Sequence, residues 1–375
     1  MPRGRRGVSV PPPARAPLGG GASLWTESLS EVLAAQLGDV PQAAAIVETI
    51  AAALAPTTAE QYGHNFARFV QFCNRQLDRP SPLPATTGTV LRWLAGDVCA
   101  RGSVKAGSLQ PYLSAINTVH TDLGFDAPAL GHLISRFKRG LAHRQTAAGR
   151  EAERVYLPAP VVEEVHEWAL ALDLSRATPA QVSAFRAAVA TTLNFCFFAR
   201  GATGSALLDG HVRRSDEALH ITLEHEKGKA KNARSRVITM PSGSVLGLEA
   251  LLAKWELYRG QVDPRHSYFA LPSELAATKG RRHVTFPSTR IDQWVHEILG
   301  HLGRRPPAGD KWTGHSERKG AASASSAIGV QLDRICWCGG WSIRSAVVHD
   351  YIDPTCPPSR AAFRYFGWLR PPASM

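Results

Sequence analysis

The spacing of apolar residues predicts helices from residue 23 to about residue 145. In TTAEQYGHNFARFVQFCNRQL, aromatic side chains recur at helical spacing after a threonine suited to capping. Similar amphipathic patterns occur in four more segments, SLSEVLAAQL, TGTVLRWLAGDVCARG, SLQPYLSAINTVHTDLGF and HLISRFKRGLAHR. The third and fourth helices are expected to stop at Gly102 and Gly124. These patterns predict an N-terminal bundle of four or five helices over residues 23–145.

A polar segment, 146–156, is interpreted as a linker to a second domain over residues 157–375. This domain shows one clear β pattern, in which Leu219, Ile221 and Leu223 alternate with polar residues. A basic turn, KGKAKNAR, leads to a second strand, RVITM, so a hairpin is predicted. The other patterns are helical, including SAFRAAVATTLNFCFFA, WVHEILGHL, HSERKGAASASSAIGV, IRSAVVHDYI and RAAFRYFGWL. The predicted fold class is therefore mainly α, with a small antiparallel sheet in the second domain.

Length and composition are those of a folded protein with two domains. The chain has 375 residues, of which 44 % are hydrophobic and 20 % charged, enough for a large core. No apolar run is long enough to span a membrane, and the first residues lack the apolar centre of a secretory signal, so the cell interior is expected. Six cysteines without a CxxC pair predict reduced thiols and no structural metal. Residues 1–22, rich in proline, glycine and arginine, are interpreted as a disordered basic tail.

The charge favours a polyanionic partner. Forty-three lysines and arginines face 31 aspartates and glutamates, a formal net charge of +12. Nucleic acid is the first candidate, although such a charge can also serve solubility alone. Arg136, Lys138 and Arg139 cluster on the fifth predicted helix and are expected to contact phosphates. The arginines of the tail could bind phosphates, act as a nuclear address or simply be solvated.

The candidate chemistry begins with an HxxR pair. No phosphate-binding loop, dinucleotide motif, zinc-protease motif or nucleophile elbow is present, which argues against nucleotide hydrolysis and zinc chemistry. His315 and Arg318 lie one helical turn apart, suited to two oxygens of one phosphate. A second pair, His211 and Arg214, lies in a predicted turn and shows that such spacing also arises by chance. Tyr351, 33 residues after Arg318, could attack phosphorus or simply pack at the edge of a core.

In combination, these motifs resemble those of one family. The segment GHSERKGAASASSAIGVQLDRICWCGGWSIRSAVVHDYID is similar to the catalytic core of the tyrosine site-specific recombinase (phage integrase) superfamily, with HxxR, a G-[HW] pair and a tyrosine in order. Upstream, NFCFFARGATGSALLDGHV resembles the family's first arginine segment, and LHITLEHEKGKAKNARSRVITMP its hairpin. Residues 58–145 resemble its core-binding domain. The tryptophan of GGW and the phrase HDYID look most like recombinases of DIRS-type retrotransposons and related eukaryotic elements.

The resemblance implies a role for each site residue. Arg200 and Arg318 would hold the phosphate beside His315, which would take the proton of the nucleophile Tyr351. Lys227 would protonate the leaving 5′-oxygen, and Trp341 would donate to the phosphate or pack against Tyr351. Further phosphate contacts would come from Lys229 and Lys231. No metal or other cofactor is implied.

The resemblance also implies partners and leaves alternatives open. Double-stranded DNA is the expected substrate, bound by a homo-oligomer, a tetramer on paired sites, in the nucleus if the source is eukaryotic and otherwise in the cytoplasm or nucleoid. A type IB topoisomerase-like activity is one alternative, against which the helical domain and a tail, RAAFRYFGWL, suited to docking on another protomer both argue. A catalytically silent DNA-binding protein is the other. Thr203 stands where the family usually has an acid that orients the first arginine.

Overall fold

The computed structural model describes residues 42–54, 56–76, 82–100, 102, 104–147, 153–223, 235–278 and 283–370. Its internal contacts divide the chain into two compact units, Met1–Arg150 and Glu151–Met375. The predicted basic tail, 1–22, and the predicted helix SLSEVLAAQL lie outside the described residues.

The described part of the first unit is helical. Its helices are α1 (Ala43–Ala51), α2 (Pro56–Gln76), α3 (Thr87–Trp93), α4 (Gln110–Asp122) and α5 (His132–Ala147). The predicted stripe on α2 is confirmed, because Phe66 and Phe69 are buried and Phe69 packs edge-on against Trp93 at 5.2 Å. The third helix does not continue to Gly102, since α3 passes into a π-helical turn, Leu94–Val98.

The second unit is mostly helical with one small sheet, which confirms the predicted fold class. Its helices are α6 (Ala159–Ala171), α7 (Pro179–Cys196), α8 (Gly201–Ser205), α9 (Leu248–Arg259), α10 (Pro272–Ala277), α11 (Thr289–His301), α12 (Ser316–Ala327), α13 (Leu332–Gly339) and α14 (Arg360–Phe366). Its antiparallel strands, in spatial order, are β1 (Val212–Arg214), β2 (Ala218–Leu223) and β3 (Arg236–Pro241). None of the described helices combines the length and hydrophobicity that crossing a membrane requires.

Helix α7 is the centre of this unit. A capping box between Thr178 and Gln181 fixes its start, and every residue from Ala184 to Cys196 is buried. A helix covered on all sides must lie inside a core rather than on its surface, and α6, α11 and α12 pack around it. Because the helix is buried, the position of its C-terminal end is fixed, and Arg200 follows four residues after that end.

The predicted tail segment packs onto its own unit. In α14, Tyr365 and Phe366 are completely buried, and both rings contact Phe195 of α7. Arg364 forms ion pairs of 2.9 and 3.0 Å with Glu163 and Glu167 of α6. The expectation that RAAFRYFGWL docks on another protomer is therefore corrected: its apolar face completes the core of the chain that carries it.

Several elements differ from the sequence patterns. The predicted helix IRSAVVHDYI is a 3₁₀ helix, Ala346–Tyr351, preceded by a turn. Strand β1 was not predicted, and neither were helices α1, α8, α9, α10 and α13. The end of the interpreted linker also has partners, because Lys311 N donates to Glu153 O at 2.9 Å and Val155 N donates to Lys311 O at 3.3 Å.

Burial of α14 predicts that Phe366→Ala destabilises the unit strongly. Removing a fully buried phenylalanine costs about 3 to 5 kcal/mol, because the transfer free energy of the ring is forfeited and a cavity is left. Phe363→Ala in the same helix is the control, since that ring is 45 % exposed and should cost far less. Urea unfolding would measure both, and equal effects would place α14 outside the core.

Candidate active site

The site is built around Arg318, in the first turn of α12. Its side chain is only 1 % exposed, and its guanidinium donates to Phe198 O at 2.5 Å and to Gly339 O. The guanidinium carbon lies 3.8 Å from the centre of the Trp341 ring and 5.3 Å from that of Tyr351. One buried cation thus joins three segments, and two aromatic rings lie beside it.

The GGW sequence places Trp341 beside this cation. A Cβ on Gly339 would lie 1.8 Å from the Trp341 ring, so only glycine allows the ring to fold back. Gly340 has a φ of +65°, the left-handed conformation that ends α13. The two glycines therefore turn the chain so that the indole covers Arg318.

Arg200 follows a strained turn at the end of α7. Phe198 has a φ of +52°, a conformation that costs about 1 to 3 kcal/mol for a residue with a side chain. Its carbonyl accepts the hydrogen bond from Arg318, and its ring packs against Phe366 at 5.2 Å, so two contacts hold the turn. Arg200 then begins α8 as its N-cap, half-buried, and its charge acts on His315.

Tyr351 lies at the end of the 3₁₀ helix with its hydroxyl beside His315. The distance from Tyr351 Oη to His315 Nδ1 is 3.4 Å, and the Tyr351 ring centre is 5.0 Å from that of Trp341. The buried hydroxyl of Ser323, on α12, accepts from Asp353 N at 2.9 Å and lies 3.2 Å from Tyr351 O. Helix α12 thus holds the backbone at Tyr351 and Asp353, and it carries Arg318, with His315 as its N-cap.

The surroundings of His315 favour its neutral form. Burial lowers the pKa of the imidazole most, the positive charges of Arg154, Arg318 and Arg200 lower it further, and Asp292 opposes them. A neutral ring with its proton on Nε2 has a free lone pair on Nδ1, the atom that faces Tyr351. His315 can therefore accept the proton of the Tyr351 hydroxyl.

The hairpin predicted to carry three site lysines is described only in part. Lys227, Lys229 and Lys231 lie outside the described residues. The hairpin that would carry them ends, in its described part, at Leu223 and Arg236, and Arg236 donates to Trp337 O at 2.6 Å and to Cys338 O of α13. The described hairpin therefore ends beside the helix that leads to Trp341.

The cluster predicted on the fifth helix lies in the first unit. Arg136 and Arg139 are exposed on α5, and Lys138 donates to Gln110 Oε1 at 3.2 Å.

The second HxxR pair serves the structure. His211 Nδ1 accepts from Leu208 N at 3.2 Å, and Arg214 pairs with Glu256. Both side chains thus have partners within the fold, as expected of a spacing that arises by chance.

The sequence interpretation missed a buried acid between His315 and Arg318. Glu317 is completely buried, and burial raises the pKa of its carboxyl well above the usual range. Asn194 and Thr191 of α7 lower this pKa, the charge of Asp292 raises it, and burial has the largest effect. Gly204 of α8 packs onto the same Asn194, since a Cβ there would lie 2.2 Å from Asn194 Oδ1. Burial therefore favours the protonated, uncharged form of Glu317.

Comparison with solved structures identifies the fold. The XerH site-specific recombinase bound to palindromic difH substrate matches with a TM-score of 0.58 and 11 % identity, over 88 % of this chain and 92 % of that chain. The Tn1549 transposon integrase in complex with circular intermediate DNA matches with a TM-score of 0.51 and 9 % identity, over 87 % and 95 %. The chain has the tyrosine recombinase fold. A lambda integrase tetramer bound to a Holliday junction gives a TM-score of 0.50 and 14 % identity, over 88 % and 76 %. No family model and no curated protein match the sequence.

The buried acid generates a prediction for the pH dependence of stability. Above the pKa of an exposed glutamate, Glu317 ionises in the unfolded chain but stays protonated in the folded one. Stability should then fall with rising pH, by up to about 1.4 kcal/mol per pH unit, until the folded pKa is reached. Glu317→Gln removes this dependence, so its stability relative to the wild type should rise from about pH 5 to about pH 8.

Urea unfolding across that pH range checks the prediction, with Glu217→Gln, at an exposed position, as the control. A difference between Glu317→Gln and the wild type that does not change with pH would mean that Glu317 is ionised in the folded protein.

Proposed function

We propose that the protein is a site-specific DNA recombinase that cleaves and rejoins DNA through a 3′-phosphotyrosyl intermediate. The observation that carries this proposal is the convergence of four side chains, Tyr351, His315, Arg318 and Trp341, within one half of the second unit. A hydroxyl beside a neutral imidazole, with a fixed cation behind both, is the arrangement that nucleophilic attack on a phosphodiester requires.

In the proposed first step, Tyr351 Oη attacks phosphorus while its proton passes to His315 Nδ1. The bond from phosphorus to the 5′-oxygen breaks, and the phosphate stays on Tyr351 as an ester of the 3′ strand end. Arg200 and Arg318 would stabilise the negative charge that grows on the non-bridging oxygens. Religation is the reverse, with a 5′-hydroxyl as the nucleophile, so no energy source is consumed.

Trp341 supports this assignment through an unused donor. Its indole Nε1–H is buried and has no hydrogen-bond partner among the residues that the structure describes. Buried donors are nearly always paired, and an orphan donor at a candidate site is suited to an incoming acceptor. A phosphate oxygen is the acceptor we propose.

Lys227 is proposed as the acid for the leaving 5′-oxygen. It follows Leu223 by four residues, which an extended chain spans in at most about 14 Å. The described hairpin ends beside α13, the helix that leads to Trp341, and this position supports a lysine of the turn in that role. Lys229 and Lys231 would contact neighbouring phosphates.

The proposed partner is double-stranded DNA, with a tetramer acting on paired sites. The structural matches include DNA complexes of three recombinases or integrases, one of which is a tetramer on a Holliday junction. An origin in a DIRS-type element, and therefore work in a nucleus, is the finer proposal, based on GGW and HDYID.

Strand transfer separates this proposal from its alternatives. A recombinase joins strands of two duplexes, a topoisomerase-like enzyme only relaxes one supercoiled circle, and a silent DNA-binding protein does neither. Because α14 is buried in its own unit, docking of the segment RAAFRYFGWL on another protomer no longer favours a recombinase over a topoisomerase-like enzyme. A product that joins labelled strands from separate duplexes would decide for recombination.

The nucleophile has a direct test. The wild type should form a covalent adduct with a pool of nicked duplexes of randomised sequence, and peptide mapping should place the nucleotide on Tyr351. Tyr351→Phe should form no adduct but should still bind DNA, because only the attacking oxygen is removed. Tyr258→Phe, at a partly buried tyrosine outside the site, is the control and should react normally. An adduct on another residue would refute the assignment.

The basic cluster of α5 is proposed to contact phosphates. Replacing Arg136, Lys138 and Arg139 with alanine should weaken binding to all duplex sequences alike. The slope of log K against log salt should become less steep by about 0.9 for each phosphate that the variant no longer neutralises. Fluorescence anisotropy at several salt concentrations measures this, with Arg176→Ala, an exposed arginine of the second unit, as the control. An unchanged slope would mean that these three residues of α5 do not contact phosphates.

A further inference from the structure

The residues that enter the second unit run alongside the approach to α12. Arg154 pairs with Lys311 in a short parallel bridge, in which Lys311 N donates to Glu153 O at 2.9 Å and Val155 N to Lys311 O at 3.3 Å. The bridge lies four residues before His315. The backbone, rather than any side chain, thus sets the position of Arg154 beside the site.

This segment is held firmly at its far end. Leu157 is buried in the core and donates its N–H to Ser316 O. Its carbonyl oxygen lies 2.1 Å from where a Cβ on Gly320 would be, so only glycine lets the segment approach α12 so closely. The place of Arg154 is therefore a fixed feature of the unit.

The positive charge of Arg154 acts on His315, because it lowers the pKa of the imidazole. Among the charged groups that act on His315, Arg154 has the largest effect, ahead of Asp292, Arg318 and Arg200. Arg154 is exposed, and it forms no ion pair with any residue that the structure describes. A cation close to His315 and open to solvent is therefore available to an anion that reaches Tyr351.

We propose that Arg154 binds a DNA phosphate at or next to the one that Tyr351 attacks. This inference rests on the proposed function and adds a binding residue to it. Phosphates on one strand follow each other at about 3.4 Å of axial rise, so a duplex seated on Tyr351 brings more than one to this side of His315. The guanidinium of arginine, always charged and forked, matches phosphate oxygens in pairs.

The test pairs a protein change with a DNA change. Duplexes that the wild type cleaves would be recovered from the nicked pool and remade with an uncharged methylphosphonate at the scissile position or at one flanking position. Arg154→Ala should slow cleavage of unmodified DNA roughly tenfold to a hundredfold, the value of a hydrogen bond to a charged group. At one methylphosphonate position, this variant and the wild type should become equal, because the charge that Arg154 binds is gone.

The controls separate the possible failures. Arg176→Ala should behave as the wild type on every duplex, and Arg154→Lys should recover part of the rate. Urea unfolding should show little change for Arg154→Ala, since its bridge uses backbone groups. Wild-type protein that forms no adduct would refute the proposed function itself. An active wild type with Arg154→Ala equally active, or slowed by the same factor on every modified duplex, would refute only the role of Arg154.

Discussion

The arrangement of the site depends on the burial of Arg318. Removing a cation from water costs several kcal/mol, and arginine cannot avoid this cost by losing its proton. Hydrogen bonds to Phe198 O and Gly339 O, each worth about 1.5 to 3 kcal/mol when one partner is charged, and the contact with Trp341 offset it. The same contacts connect α12 to the segment after α7 and to the end of α13. The hydrogen bonds that a buried Arg318 requires therefore also bring the parts of the site together.

The sequence predicted the elements whose patterns are long and regular. Helix α2 and strand β2 each bury one face against a core, and this burial imposes the observed periodicity. Strand β1 has only three residues, none of them buried, and therefore carries no pattern of its own. It forms because β2 offers it a paired edge. Elements that exist through tertiary contacts leave little signal in the sequence.

The site was predictable only in part, for a related reason. His315, Arg318, Trp341 and Tyr351 are recognisable by their order along the chain, and the structure brings them together. The residues that hold them gave no signal. Ser323 is one serine in a small-residue helix, and Glu317 reads as an exposed helical acid until α7 covers it. Arg154 lies in a polar segment interpreted as a linker, and a backbone bridge defines its position.

The positive charges of the site also connect binding with proton transfer. Arg154, Arg200 and Arg318 all oppose a proton on His315 in the free protein, which keeps Nδ1 available to Tyr351. On the proposed mechanism, negative charge grows on the phosphate oxygens as Tyr351 attacks, and it offsets these cations. The imidazole then becomes more basic as the reaction requires it to hold the proton. In its protonated form, Glu317 does not offset these positive charges. An ionised acid at the same position would offset part of them before any phosphate is bound.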